Sequence, residues 1–466
     1  MLTYFPKYFS SRAILCYIIT LVLVSAMFLS RVLPFQFMLF GIVAVVLFFN
    51  YGNKLSMQWH RISPKLFRKK LFITALIIRV IYVVFIYFYY INMTGQPLMF
   101  HSADEVGYHL VASLIREEGW DTYHTYVNMY SLSDRGYFYW LGTIYLVFGN
   151  NILVGRIVKC FLDAFACLLM YNLAKRNFGE YTGRMAAIFY LMMPNMWYYC
   201  GITLKEAEMA FLVILFTERA DLVLHSKKIK VVSLLLPGLI ILILFTFRTA
   251  LAAVLVAALV AAIIFSSGKQ LELWKKILYV SIFGVWMMMT VGVEIIEETQ
   301  ELWTGRTQNQ EAGYEWRAER KNGNTFAKYA SASLFAPAIF TIPFPTMVSV
   351  SGQENQMMLH GGNFVKNIMS GFTIFALFTL LFSGEWRKHV LPIALMCGYL
   401  LVLVFSNFAH SERFHYPVLG MELMFAAYGV SQVKNKQKRW YTLWLLFVCV
   451  ANLGWAYIKL AGRGLA

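Results

Sequence analysis

Charge is scarce in this chain. Asp, Glu, Lys and Arg make up 14% of its 466 residues, against 59% hydrophobic ones. Ordinary soluble domains carry about a quarter charged residues, so that class is excluded. Strands of alternating polarity, about ten residues each, are missing too, which excludes a transmembrane β-barrel. There are six cysteines: Cys16, Cys160, Cys167, Cys200, Cys397 and Cys449. All sit in or beside apolar stretches with no C-x-x-C pair, which fits small core side chains rather than disulfides or a zinc site. The nine histidines do not fall at metal-ligand spacing. In "HSERFH", His410 and His415 are off one helical face, and no metal site is expected. Internal repeats, low-complexity tracts and a separable soluble domain are lacking as well.

What the chain does have is long apolar runs, each of about 17–25 residues, the length that crosses a bilayer's hydrocarbon. The fold class expected is an all-α polytopic membrane protein with about 13 transmembrane helices. The spans fall at roughly 13–30, 34–50, 71–92, 152–173, 183–200, 206–224, 231–247, 250–266, 274–294, 366–384, 389–407, 415–430 and 441–460. No small-residue cleavage site follows 13–30, so that segment reads as a retained span. Lys and Arg number 41 against 24 Asp and Glu. The greater part of the basic residues falls between spans on one face, in runs such as "HRISPKLFRKK" (60–70) and "VKNKQKR" (433–439). By the positive-inside rule that face is cytoplasmic and so is the N-terminus. The net charge of +17 is thus a topology signal with attraction to membrane lipids, and no nucleic-acid partner is expected.

Four regions follow. Residues 1–70 hold two N-terminal spans and a basic loop; 71–294 form a membrane core carrying an acidic outer loop at 93–151. Residues 295–365 are a second outer loop and 366–466 the C-terminal spans. "YFYWLGTIYLVFG" (137–149) is short for a span, and Tyr137, Tyr139 and Trp140 would anchor it as an interfacial helix. Pro337, Pro343 and Pro345 interrupt 333–350, so a re-entrant or interfacial piece is expected there.

The outer loop opens with "FHSADEVGYHL" (100–110). Adjacent carboxylates this close to a span end are unusual. If 103–116 is helical, Asp104 and Tyr108 share a face while Glu105 points elsewhere, so that one acid can meet substrate and the other can anchor the loop. A partly desolvated carboxylate suits a general base, and Asp104 and Glu105 are the candidate catalytic residues. Cations gather on the same face: Lys205 in "GITLKEAEM", Arg248 in the tight turn "FRTA", and Arg413 in "HSERFHYP". Cations facing carboxylates at one membrane surface are suited to a lipid phosphate. His101, Tyr108, Glu206, His415 and Tyr416 are candidate substrate contacts. Arg156, Lys159 and Asp163 recur along one span, where a structural Lys159–Asp163 pair is expected, and Glu422 needs a buried partner.

With these residues in hand, the chain resembles the membrane glycosyltransferases that use polyprenyl-phosphate sugars, the GT-C superfamily. That group includes protein O-mannosyltransferases and aminoarabinose transferases. The resemblance covers roughly 70–430 and follows the order of five features. They are Asp104-Glu105-x-x-Tyr108, "YFYWLGTIYLVFGNN", "LAKRNFGEYTGRMAAI", "LMMPNMWYYCGITLKE" and "ERFHYPVLGMELMFAAYG". It implies inverting sugar transfer from a polyprenyl-phosphate donor to a lipid-, glycan- or protein-linked hydroxyl, with Asp104 as base and Arg413 at the donor phosphate. Lys205 and Arg248 join the phosphate contacts by topology alone. No cofactor is required, and a divalent cation is left open. The setting implied is a bacterial inner membrane with the site facing the periplasm or exterior. The chain departs from its relatives in having "SDRGYFYWL" where many carry a proline pair, and in its two extra N-terminal spans. An O-antigen-type polymerase or ligase, using "GYEWRAERK" (313–321), and a lipid-linked-sugar flippase are the alternatives. Clean spans with charges at one rim disfavour the flippase.

Overall fold

The computed structural model describes residues 2–225, 232–265, 324, 338–405 and 409–465. The expected span at 274–294 and the segment "GYEWRAERK" lie outside the described residues. Within them the protein is helical, and its only β pairing is an isolated antiparallel bridge between Val32 and Val348.

The helices facing the membrane declare themselves by what they leave exposed. Helix α1 spans Lys7–Met27, α2 Phe35–Trp59 with a π turn at Leu47–Tyr51, and α3 Pro64–Thr94. Ser63 caps α3 by accepting the Leu66 amide, Pro64 supplies the preset first turn, and Gly95 ends it at φ +79°. Phe67, Leu71, Ala75, Arg79, Val83, Ile86 and Tyr90 form its buried stripe. The opposite stripe, Ile73, Ile77, Ile81, Phe85 and Phe88, is equally apolar yet exposed. A helix apolar on both faces with one face open fits hydrocarbon surroundings, not water.

The loop at 93–151 folds into three helices: α4 (Ala103–Glu117), α5 (Gly119–Asn128) and α6 (Leu132–Phe148). Next come α7 (Ile152–Phe178), α8 (Glu180–Met192), α9 (Pro194–Cys200) and α10 (Glu206–Leu224). The expected span 183–200 is therefore broken. Pro194 has no amide hydrogen to continue α8, so the chain restarts as α9 and then turns through 201–205 to the head of α10. Helices α11 (Val232–Phe245) and α12 (Thr249–Phe265) are joined by the turn holding Arg248.

The remaining helices are α13 (Glu354–Ser383), α14 (Val390–Val404), α15 (Glu412–Gln432) and α16 (Lys438–Ala461). Helix α13 starts at 354, rather than at 366 where the span was expected, about three turns earlier. Its polar first half is buried in protein rather than exposed to water. His360 is 2.8 Å from the Tyr17 hydroxyl, and Asn195 donates to Asn363 at 3.1 Å. Residues 338–350 are irregular and mostly buried, as prolines there require. They are held by hydrogen bonds from Asn367 to the Pro343 carbonyl (3.1 Å) and from Ser349 to Arg31 (2.8 Å). Among the described residues, six helical segments are long and apolar enough to cross a membrane: α1, α2, α3, α13, α14 with its preceding 3-10 turn, and α16.

Buried charges in the core pair between helices, not along them. Asp163 on α7 binds Arg79 on α3 and accepts from Tyr190 on α8 at 2.6 Å. Lys159 instead meets Glu208 on α10 at 3.4 Å. The expected Lys159–Asp163 bridge is therefore corrected: each side chain faces a different neighbouring helix and ties it to α7. Glu422 finds its partner in Lys366, 3.6 Å away on α13.

Candidate active site at the outer rim

Ser102 starts α4 by accepting the Glu105 amide at 3.1 Å, which places Asp104 and Glu105 in the first turn, where the helix dipole favours carboxylates. The two acids then part company. Glu105 is fully buried. It takes Arg156 at 2.8 Å, the Thr203 amide, and the Met99 amide at 2.7 Å. Its catalytic assignment is corrected, because both oxygens are committed to holding the loop onto α7 and the 201–205 turn. Asp104 remains 55% exposed and forms an ion pair with Arg413 at the head of α15.

Arg413 does not stop there. Its Nε donates to Glu206 at the head of α10, and Glu206 lies 3.6 Å from Arg248 in the α11–α12 turn. Arg248 in turn lies over the Phe414 ring at 4.3 Å and donates to the Tyr399 hydroxyl at 3.3 Å. Beside this chain Lys205 donates to Asp134 at 2.6 Å and to the Ser133 carbonyl at 2.6 Å, and Tyr108 donates to Asp134 at 2.6 Å. Asp104, Lys205, Glu206, Arg248 and Arg413, drawn from four separate places in the sequence, thus meet in one network.

One glycine makes the approach possible. The Gly136 amide donates to the Thr246 carbonyl at 2.8 Å, and a Cβ at 136 would fall 2.1 Å from the Thr246 hydroxyl oxygen. A side chain there would push α6, and Asp134 with it, away from the turn that carries Arg248.

Burial raises the Asp134 carboxyl's proton affinity, but the Lys205 charge and hydrogen bonds from Lys205, Tyr108 and Ser131 outweigh it, leaving its pKa below the usual value. Burial lowers the Lys205 pKa, opposed by Asp134 and reinforced by Arg248. Burial likewise raises that of Tyr108, helped by the adjacent Asp134 charge, so Tyr108 stays a neutral donor.

The expected substrate contacts divide. His101, at φ +49°, is exposed and lies 3.8 Å from Glu354 at the head of α13. Tyr108 and Glu206 belong to the network but are buried, so their role is to hold charges in place. His415 and Tyr416 are corrected. His415 faces inward, 3.0 Å from Lys366 and 2.7 Å from the Ala409 carbonyl, while Tyr416 packs on the Tyr199 ring at 4.4 Å. On a helix His415, two residues on from Arg413, points away from it by its spacing. Asp134 was missed in the sequence. Its signal was present, an acid opening the aromatic outer helix. Among the described residues no group of three His, Cys, Asp or Glu side chains converges as a metal site.

An apolar groove of about 510 Å³ runs beside the network, between α2, α3, α9 and α13. Its lining includes Phe40, Val43, Ile81, Phe85, Trp197 and Met358. At one end Tyr89 and Tyr198 line it. The Tyr89 ring meets that of Phe100 at 6.4 Å, four residues from Asp104, and the Tyr198 hydroxyl is 4.0 Å from the Met99 sulfur.

Residues 355–460 match the model of the Alg9-like mannosyltransferase family. That stretch runs from α13 to α16 and includes Arg413. No curated protein matches the chain. Among solved structures, the Archaeoglobus fulgidus oligosaccharyltransferase in its apo form is 12% identical, with 85% of this chain and 56% of that one covered at a TM-score of 0.48. The same enzyme tethered to an acceptor peptide containing the NVT sequon gives 13% identity, 86% and 56% coverage and a TM-score of 0.45. Its complex with an inhibitory peptide and a dolichol-phosphate gives 11%, 86%, 56% and 0.43. The chain spans little more than half the length of these structures. What the chain shares with a known family is thus this stretch, which is similar to the Alg9-like mannosyltransferases.

Proposed function

We propose that the chain transfers a sugar from a polyprenyl-phosphate carrier to a hydroxyl acceptor at the extracytoplasmic surface, with inversion at the anomeric carbon. The observation that carries this is the rim network itself: an exposed carboxylate, Asp104, set against Arg413, with Arg248 tied to the same buried Glu206. Asp104 takes the proton of the attacking hydroxyl, whose oxygen approaches the sugar from the side opposite the phosphate. The cations stabilise the charge that develops on the departing phosphate. Lys205, held by Asp134, adds positive potential beside them.

The groove between α2, α3, α9 and α13 supports a lipid carrier, since a prenyl chain there would bring its headgroup up beside the loop bearing Asp104. The reaction so written needs no cofactor, and turnover unchanged by a chelator is the matching expectation. The site faces outward, in a bacterial cytoplasmic membrane. Purified protein incubated with a panel of prenyl-monophosphate sugars should release free prenyl phosphate with one of them. Absence of release across donors and hydroxyl acceptors would remove the proposal. Retention of anomeric configuration in the product would remove its single-displacement step.

A further inference from the structure

We propose that Arg413 changes partners during turnover, passing from Asp104 to the leaving phosphate, so that in the free protein the Asp104 carboxylate occupies the phosphate's own place. This rests on the glycosyl-transfer reading above.

The two ends of the Arg413 bridge differ. Its Nε is held by Glu206, which is fully buried and also lies 3.6 Å from Arg248. Its Nη1 is held by Asp104, which is 55% exposed at the first turn of α4. One end is fixed and the other is open to exchange. The Glu206 side orients the guanidinium, and one Glu206 oxygen faces both arginines, Arg413 and Arg248.

Charge balance gives the exchange its reason. Asp104, Glu206 and Asp134 neutralise Arg413, Arg248 and Lys205 one for one in the resting site. Among the described residues of this network no cation is in surplus for an arriving phosphate. During transfer the bond between the anomeric carbon and the phosphate oxygen breaks, and its electron pair goes to that oxygen. The acceptor oxygen bonds to the anomeric carbon, and its proton moves to Asp104. The phosphate thus gains one negative charge as Asp104 loses one. Arg413 sits where it can follow that charge, and an interaction that strengthens as the bond breaks accelerates the chemical step.

Binding, not turnover, tests this. Farnesyl phosphate would be titrated into the full-length protein in detergent by calorimetry, with inorganic phosphate as a second ligand. Asp104→Asn keeps the side chain's shape but not its charge, and is expected to bind farnesyl phosphate about tenfold more tightly than the unaltered chain. That is the loss of one competing, partly exposed ion pair, about 1.4 kcal/mol for a tenfold change. Inorganic phosphate should show a similar ratio at weaker affinity, because the competition is for headgroup charge. Made in an Arg413→Ala background, Asp104→Asn should change neither affinity, which closes a double-mutant cycle. Unchanged or weaker binding in Asp104→Asn, or the same gain without Arg413, overturns the exchange while leaving glycosyl transfer intact. A gain seen only with the prenyl ligand also overturns it. Failure of every form to bind farnesyl phosphate overturns the glycosyl-transfer reading itself.

Discussion

Two ion pairs separate structure from chemistry in this molecule. In the core, Arg79 and Asp163 are both sealed from solvent, and Tyr190 completes the carboxylate's hydrogen bonding. At the rim, Arg413 and Asp104 form an equally close pair, but the carboxylate is more than half exposed and the guanidinium has a second acid behind it. The core pair has no room to exchange partners, so it locks α3 to α7. The rim pair has both room and a spare anchor. On the function proposed above, the same two chemical groups become a strut or a reagent according to burial.

The largest effect should come from removing the reagent without the strut. Asp104→Asn is expected to lower turnover about a thousandfold, with the thermal midpoint in detergent unchanged. Loss of both together would make the rim pair another strut. Breaking the core pair should do the reverse. Arg79→Met leaves Asp163 buried without its partner and should cost about 3–5 kcal/mol of stability, read as a lowered unfolding midpoint. Restoring most of that with Asp163→Leu alongside would show that the stranded charge, rather than lost packing, is the cause.

Gly136→Val tests how sharply the rim depends on backbone approach. Displacing α6 from Thr246 should reduce turnover about tenfold, on the order of 1.4 kcal/mol, and a variant with unaltered kinetics would mean that the α6 contact does not position the cations. The smallest effect concerns pH. The Asp134 pKa is held below its ordinary value in the folded protein. Its pairing therefore contributes stability above the unfolded carboxylate's pKa of about 3.9, and that contribution is lost as pH falls through the lower folded value. Acid titration of the unfolding midpoint should be steeper in the unaltered chain than in Asp134→Asn. Parallel curves would show that the Lys205 pair adds nothing to stability.

How legible was this from the residues? Asp104 and Arg413 stood out because a charge beside a long apolar run is costly without a purpose, and the cost is visible locally. Glu105 could not be told from Asp104, since adjacent residues on a helix differ only in direction, and direction becomes a role once Arg156 and Thr203 are in place. Lys366 escaped notice because it opens an expected span as any interfacial lysine would. It is buried because α13 extends twelve residues further back, into protein rather than water. The break at Pro194 was readable in principle, yet the apolar residues on either side made one continuous run.

Local composition by itself settled that this is a helical membrane protein, because each apolar run meets its solvent independently of the others. It also marked the ends of certain spans, at 100–110, 201–206, 246–249 and 410–417, as the places where acids and bases accumulate. Which acid faces which base was decided only by the folded chain. Asp104 and Arg413 are 309 positions apart, and the order of helices between them, broken at Pro194 and closed up at Gly136, determines that they touch. Charge pairing is a property of distances in space, and neither propensity nor periodicity encodes those distances.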